Sequence, residues 1–154
     1  MVEKSIENAI NEKLSGESQK NALNLAAFLQ ANNMTLDANE DGVGWAVGGT
    51  IGNSVGYMLV NGIANDPSTP GPWTLWFNSC NFNDDGSVSE ELKETARMHA
   101  SPCGKCHAGW ETCGGGNRNI FGKEFEKLCH SPLMFNEPTA EVLEDIKKLL
   151  LLVK

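Results

Sequence analysis

No stretch of this chain approaches the roughly 18 to 20 consecutive apolar residues that a membrane-spanning helix requires. The longest candidate, Leu149 to Val153, reads as the end of a helix. Met1 to Gly16 sets Glu3, Lys4, Glu7, Glu12 and Lys13 between its apolar residues, so the continuous apolar core of a secretory signal is missing too. Positive charge is in short supply: 12 Lys and Arg face 20 Asp and Glu, for a formal net charge of -8. Such a surface repels phosphate backbones and anionic lipid, so neither nucleic acid nor a membrane is expected as a partner. Lys105, Arg118, Lys123 and Lys127 do fall around the cysteines, but without Arg-aromatic interleaving they read as a solvated face. Hydrolase patterns are absent as well: no Ser-His-Asp order, His-Glu-x-x-His or spaced carboxylate pair stands out, and three histidines leave few general bases. What these absences leave is a soluble cytoplasmic protein.

What is present suits one compact domain, residues 1–154, with 40% apolar and 21% charged residues in the ordinary globular range. Ile6, Ile10 and Leu14 recur every four residues, so the spacing predicts a helix over Val2 to Leu14, ended by Gly16. A second follows, capped by Ser18, with Ala22, Leu25, Ala26 and Leu29 as its apolar stripe and Asn32-Asn33 as a left-handed stop. Between Trp45 and Val60 the composition turns to Gly, Val, Thr and aromatics, which predicts two strands around a Gly52-Asn53 turn. A third strand, Trp73 to Phe77, follows a Pro/Gly-rich connection. Ser87-Val88-Ser89-Glu90 fits a capping box for a third helix that Pro102 stops. Phe121, Phe125 and Leu128 stand in helical register over Ile120 to Leu128, and Pro138 opens a closing helix through Val142, Ile146, Leu149 and Val153.

Five cysteines in a chain without an export signal point to reduced thiols. Cys103-Gly-Lys-Cys106 is a pair whose thiolates can reach one ion, Gly104 allowing the tight turn between them. Cys113 follows after a short Gly-flanked loop and Cys129 arrives at the end of a helix predicted over Ile120 to Leu128, so four soft ligands can converge on a tetrahedral ion. Zinc prefers such a closed thiolate set and iron comes second. The bland alternative is four reduced cysteines, some buried as small apolar side chains. Cys103-Gly-Lys-Cys106-His107 also matches the c-type haem attachment motif, with Met134 available as a sixth ligand, but the missing export signal and two further cysteines stand against it. A dithiol redox pair needs a strand before the first cysteine and a helix starting there; here a helix precedes and a Gly-rich loop follows.

His99, His107 and His130 lie beside the cluster and read as residues that orient or hydrogen-bond its ligands more than as ligands themselves. Cys80, at the end of the third strand, reads as a buried thiol outside the site. Asn81 to Val88 resembles the first eight positions of a calcium loop, but its twelfth position is Leu92 where a bidentate Glu is needed, which leaves an Asn/Asp turn. Trp45, Trp73, Trp76 and Trp110, with Tyr57, either line a ligand pocket over the sheet or fill the core. Gly48 to Gly52 lies inside a hairpin and precedes no helix, a poor phosphate cradle. An open catalytic metal would need three ligands and a nearby carboxylate such as Glu111 or Glu124.

Cys103-Gly-Lys-Cys106, Cys113, Ile120-Phe-Gly-Lys-Glu-Phe125, Cys129 and Ser131-Pro-Leu-Met-Phe135, with Pro70-Gly-Pro-Trp73-Thr-Leu-Trp76 and the closing helix, make about half the chain resemble a family of small bacterial and archaeal proteins without an assigned function. In that family the residue after the second cysteine is usually glycine, unlike His107, and the third cysteine stands closer to the second than Cys113 does to Cys106. The resemblance implies a shared fold unit and cluster and supplies no reaction.

The expected fold class is α+β: a small antiparallel sheet of three to four strands, helices packed on one face and a C-terminal cysteine-rich loop. The expected function is a small cytoplasmic metal-binding protein, zinc held by Cys103, Cys106, Cys113 and Cys129, with the sheet side free for a small molecule or a protein. A metal- or thiol-dependent enzyme is the rival, and a c-type haem or dithiol redox protein stands third.

Overall fold

The computed structural model describes residues 5–38, 44–48, 54–60, 72–102 and 116–153. Helix α1, Ile6–Lys13, starts at Ser5, whose hydroxyl accepts the Asn8 N–H and so satisfies one of the orphan donors of the first turn. Helix α2, Gly16–Ala31, begins at Ser15, three residues before the expected cap at Ser18, and ends against Asn33, which takes the left-handed backbone at φ 60°. Helix α3, Glu90–Met98, is capped by Ser89 and not by Ser87, and helix α4, Ala140–Leu152, by Thr139.

Among the described residues seven strands run between α2 and α4: β1 Leu36–Ala38, β2 Gly44–Val47, β3 Gly56–Val60, β4 Trp73–Phe77, β5 Ala100–Pro102, β6 Gly116–Ile120 and β7 Lys123–Asn136. All pairings are antiparallel, in the order β1-β2-β3-β4-β7-β5, with β6 paired to the early part of β7. Trp45, Met58, Leu75 and Phe135 make one cross-strand row, and with Val47, Val60, Trp73, Phe77 and Leu133 they join the buried residues of all four helices in a single core. Ala46, Tyr57, Trp76 and Met134 form the row on the other side of the sheet.

The expected fold class is overturned in two respects. Among the described residues the sheet has seven strands where three to four were expected, and the C-terminal element is helix α4, not a cysteine-rich loop. The main error lies at Ile120 to Leu128, expected as a helix and found as the β6–β7 hairpin. Phe121 and Gly122 both hold positive φ, 48° and 88°, as a tight two-residue hairpin turn requires. Beyond the turn, Arg118 pairs with Phe125 but Gly116 pairs with Leu128, so β7 carries an extra residue, and Lys127 takes φ 55° there. This β-bulge stretches the spacing of inward positions from two residues to three, which is how Phe125 and Leu128 imitate helical periodicity. Cys129 is accordingly a strand residue, not the end of a helix. The expected Gly52-Asn53 turn lies outside the described residues.

Candidate metal centre

Cys103, Cys106 and Cys113, with His107, Trp110 and Glu111, lie in 103–115, outside the described residues. The flanks of that segment are described. Pro102, the last residue of β5, stands opposite Leu128 on one edge of β7. Gly116, the first residue of β6, stands opposite the same Leu128 on the other edge. The segment with three cysteines therefore leaves and rejoins the sheet at the residue that precedes Cys129.

The sheet is irregular at this place. Ala100 pairs with Leu133 and Pro102 with Leu128, so Ser101 alone spans what β7 covers with Cys129, His130, Ser131 and Pro132. On the opposite edge, among the described residues, the pairing with β4 reaches Leu133 and the pairing with β6 reaches Leu128. Pro132 has no N–H to give to a ladder. Such interruptions free backbone and re-aim side chains, and they gather beside functional sites.

A polar chain ties this stretch to the sheet. Ser131 Oγ donates to Asn78 Oδ1 at 2.9 Å. Asn78 Nδ2 donates to the Ser54 carbonyl at 3.2 Å and to Ser54 Oγ at 3.0 Å, and Ser54 Oγ donates on to the Gly56 carbonyl at 3.0 Å. These bonds fix which end of the Asn78 amide faces Ser131. The bonded pairs are 24 and 53 residues apart in sequence, so no local pattern announces Asn78, Ser54 or Ser131.

The other candidates are placed elsewhere. His99 caps the end of α3; its Nδ1 lies 2.8 Å from the Thr95 carbonyl and so carries the proton, and its ring stacks on Phe135 at 4.3 Å. Three steps of extended chain then lead from it to Pro102, about 10 Å. Cys80 is a buried free thiol; burial pushes its pKa up, and the neighbouring Arg118 guanidinium pulls the other way. Arg118 is half-buried, and Lys123 lies over the Phe125 ring at 5.4 Å.

In the calcium-like loop Asp84 Oδ1 accepts the Gly86 N–H at 3.0 Å, and its other oxygen pairs with Lys93 Nζ at 3.2 Å. Both interactions hold its pKa below the ordinary carboxylate value, and the Ser87 hydroxyl and N–H do the same for Asp85. The carboxylates serve a turn. Among the described residues no group of three or more His, Cys, Asp or Glu could hold a metal. Trp45 and Trp73 are core residues at 2% and 0% exposure, whereas Trp76 sits across the sheet with Tyr57, ring centroids 6.4 Å apart. No helix of the described residues is long and apolar enough to cross a membrane. No protein-family model, no curated protein and no solved structure matches the chain, so no relative lends it a ligand set or a reaction.

Proposed function

We propose that this protein binds a metal ion, zinc before iron, through Cys103, Cys106, Cys113 and Cys129, and that the ion joins the β5–β6 connection to the centre of β7. The observation that carries this reading is the shared register of Pro102 and Gly116 with Leu128, because it brings both ends of the three-cysteine segment to the neighbour of the fourth cysteine. Tetrahedral thiolate sites need ligands from two or more chain segments, and they stabilise connections too polar and glycine-rich to bury a core of their own. Four protein thiolates close the coordination shell and leave no position for a reacting water, so the role proposed is structural. A reducing cytoplasm would keep the thiols available as ligands.

Elemental analysis of protein purified without added metal, with its visible spectrum, tests the proposal. One zinc per chain and a featureless visible spectrum are expected. An iron–thiolate band would replace zinc by iron, a Soret band would establish haem, and freely titrating thiols with no metal would overturn the reading. Cys106→Ser is expected to lose stoichiometric metal; a folded variant that retains it would show that the ligand set is wrong.

A further inference from the structure

We infer that the outer edge of β1, with the cleft beside it, binds an extended peptide segment carrying two consecutive basic residues. Among the described residues β1 stands at the end of the sheet, paired with β2 alone. Its hydrogen-bonding phase follows from a bond just outside the strand. Gly48 N–H donates to the Thr35 carbonyl at 2.9 Å, which makes Thr35 and Gly48 a bonded pair of the antiparallel register. Bonded pairs alternate along such a ladder, so the next one joins Asp37 to Ala46, and the N–H and C=O groups of Leu36 and Ala38 point away from β2. Backbone groups so directed are a template for an added strand.

A cavity of about 230 Å³ adjoins this edge, between β1, the start of α1 and the end of α2. Leu36 and Ala38 share the face of Val47 and Trp45, and their side chains line the cavity with Ile6 and Trp45. Among its described lining residues Glu7 alone is charged; it is half-buried, and one of its oxygens accepts from Gln30 Nε2 at 2.7 Å. Asp37 lies on the opposite face of β1 and is exposed. Successive residues of an added strand point to opposite faces. One enters the cavity, where an aliphatic stem packs on Ile6 and Leu36 and a cationic head pairs with Glu7. The next meets Asp37 across the ladder. Negative charge on both sides of one edge therefore selects Lys or Arg at two successive positions. The same charge disfavours a second copy of this chain, which would bring its own Asp37 and a net charge of -8 to the pairing.

The test is fluorescence anisotropy of the full chain with a short labelled peptide of Thr and Val around a central Lys-Arg pair, and with its Glu-Glu counterpart. The Lys-Arg peptide is expected to bind, more weakly as salt is raised, and to shift the amide resonances of Leu36 and Ala38; the Glu-Glu peptide is expected to do neither. Ala38→Pro removes an outward N–H and none that bonds to β2, so it blocks strand addition without opening the sheet. It is expected to abolish binding while the urea midpoint stays at the wild-type value. Asp37→Lys turns an attractive cross-strand pair into a repulsive one and is expected to weaken binding about tenfold; it serves as the second variant if Ala38→Pro does not fold. Glu7→Gln is expected to weaken it about threefold. No binding of the Lys-Arg peptide, equal binding of the two peptides, or wild-type affinity in folded Ala38→Pro or Asp37→Lys would each overturn the inference. A dimer in sedimentation that Ala38→Pro dissolves would also overturn it, by giving the edge to a second copy.

Discussion

At the turn joining β6 to β7, Phe121 holds φ 48°, a conformation that costs an L-residue with a bulky side chain free energy wherever it occurs. Three contacts offset that cost. Arg97 Nε donates to the Ile120 carbonyl at 3.2 Å, Arg97 Nη2 donates to the Phe121 carbonyl, and the Phe121 ring stacks on Phe82 at 5.0 Å and 9°. The following Gly122, at φ 88°, donates its N–H to Asn119 Oδ1 at 2.6 Å and, without a Cβ, carries no comparable strain. No atom lies within 4 Å of where its Cβ would be, so Gly122→Ala isolates the backbone term and is expected to cost about 1 kcal/mol. Gly56 tests the opposite limit. A Cβ there would stand 2.6 Å from the Trp76 carbonyl oxygen, and that backbone atom cannot yield without parting β3 from β4. Gly56→Ala is therefore expected to cost about 3 kcal/mol or more. Urea unfolding of the two variants side by side checks the order; equal costs would mean that β3 and β4 separate more readily than their register implies.

Among the elements, those with an undisturbed period were legible in the sequence. Strand β4 falls at Trp73–Phe77 as its alternation predicts, and α4 falls where its four-residue spacing and the preceding Pro138 put it. The β6–β7 hairpin was not legible, because a bulge turns period two into period three and so writes a helical signal into a strand. The short strands β1 and β5 were missed for a different reason: three residues carry no period, and only their partners β2 and β7 define them. The bulge makes a prediction that separates the two readings of this segment. Lys127 holds φ 55°, so Lys127→Gly relieves backbone strain and is expected to leave stability unchanged or raise it by up to about 1 kcal/mol. In a helix interior the same change would cost about 1 kcal/mol. A chemical denaturation curve decides by its sign alone.

For the whole molecule, the proposed metal site would divide the chain into a part held by its apolar core and a part tied down by the ion. The packed helices and β2 to β4 share one core of buried apolar residues, which Ile120, Leu128, Leu133 and Phe135 join from β6 and β7, whereas β5 is three residues long and β6 buries little besides Ile120. The candidate site was legible as a set of residue types and spacings, since four cysteines in 27 residues state a chemistry regardless of fold. Its seat was not legible, because the convergence on Leu128 arises from the register of strands that the sequence does not mark. Metal removal should accordingly act on one end of the sheet. A ligand at one hundred times its dissociation constant adds about 2.7 kcal/mol to the state that binds it, and chelation withdraws that amount. Hydrogen exchange after chelation is expected to speed up first in β5, β6 and the adjoining first half of β7, with β2, β3 and α2 keeping their protection. Uniform acceleration through the sheet would instead mean that the ion is linked to global unfolding, and that the β5–β6 end is as cooperative a part of the fold as the core itself.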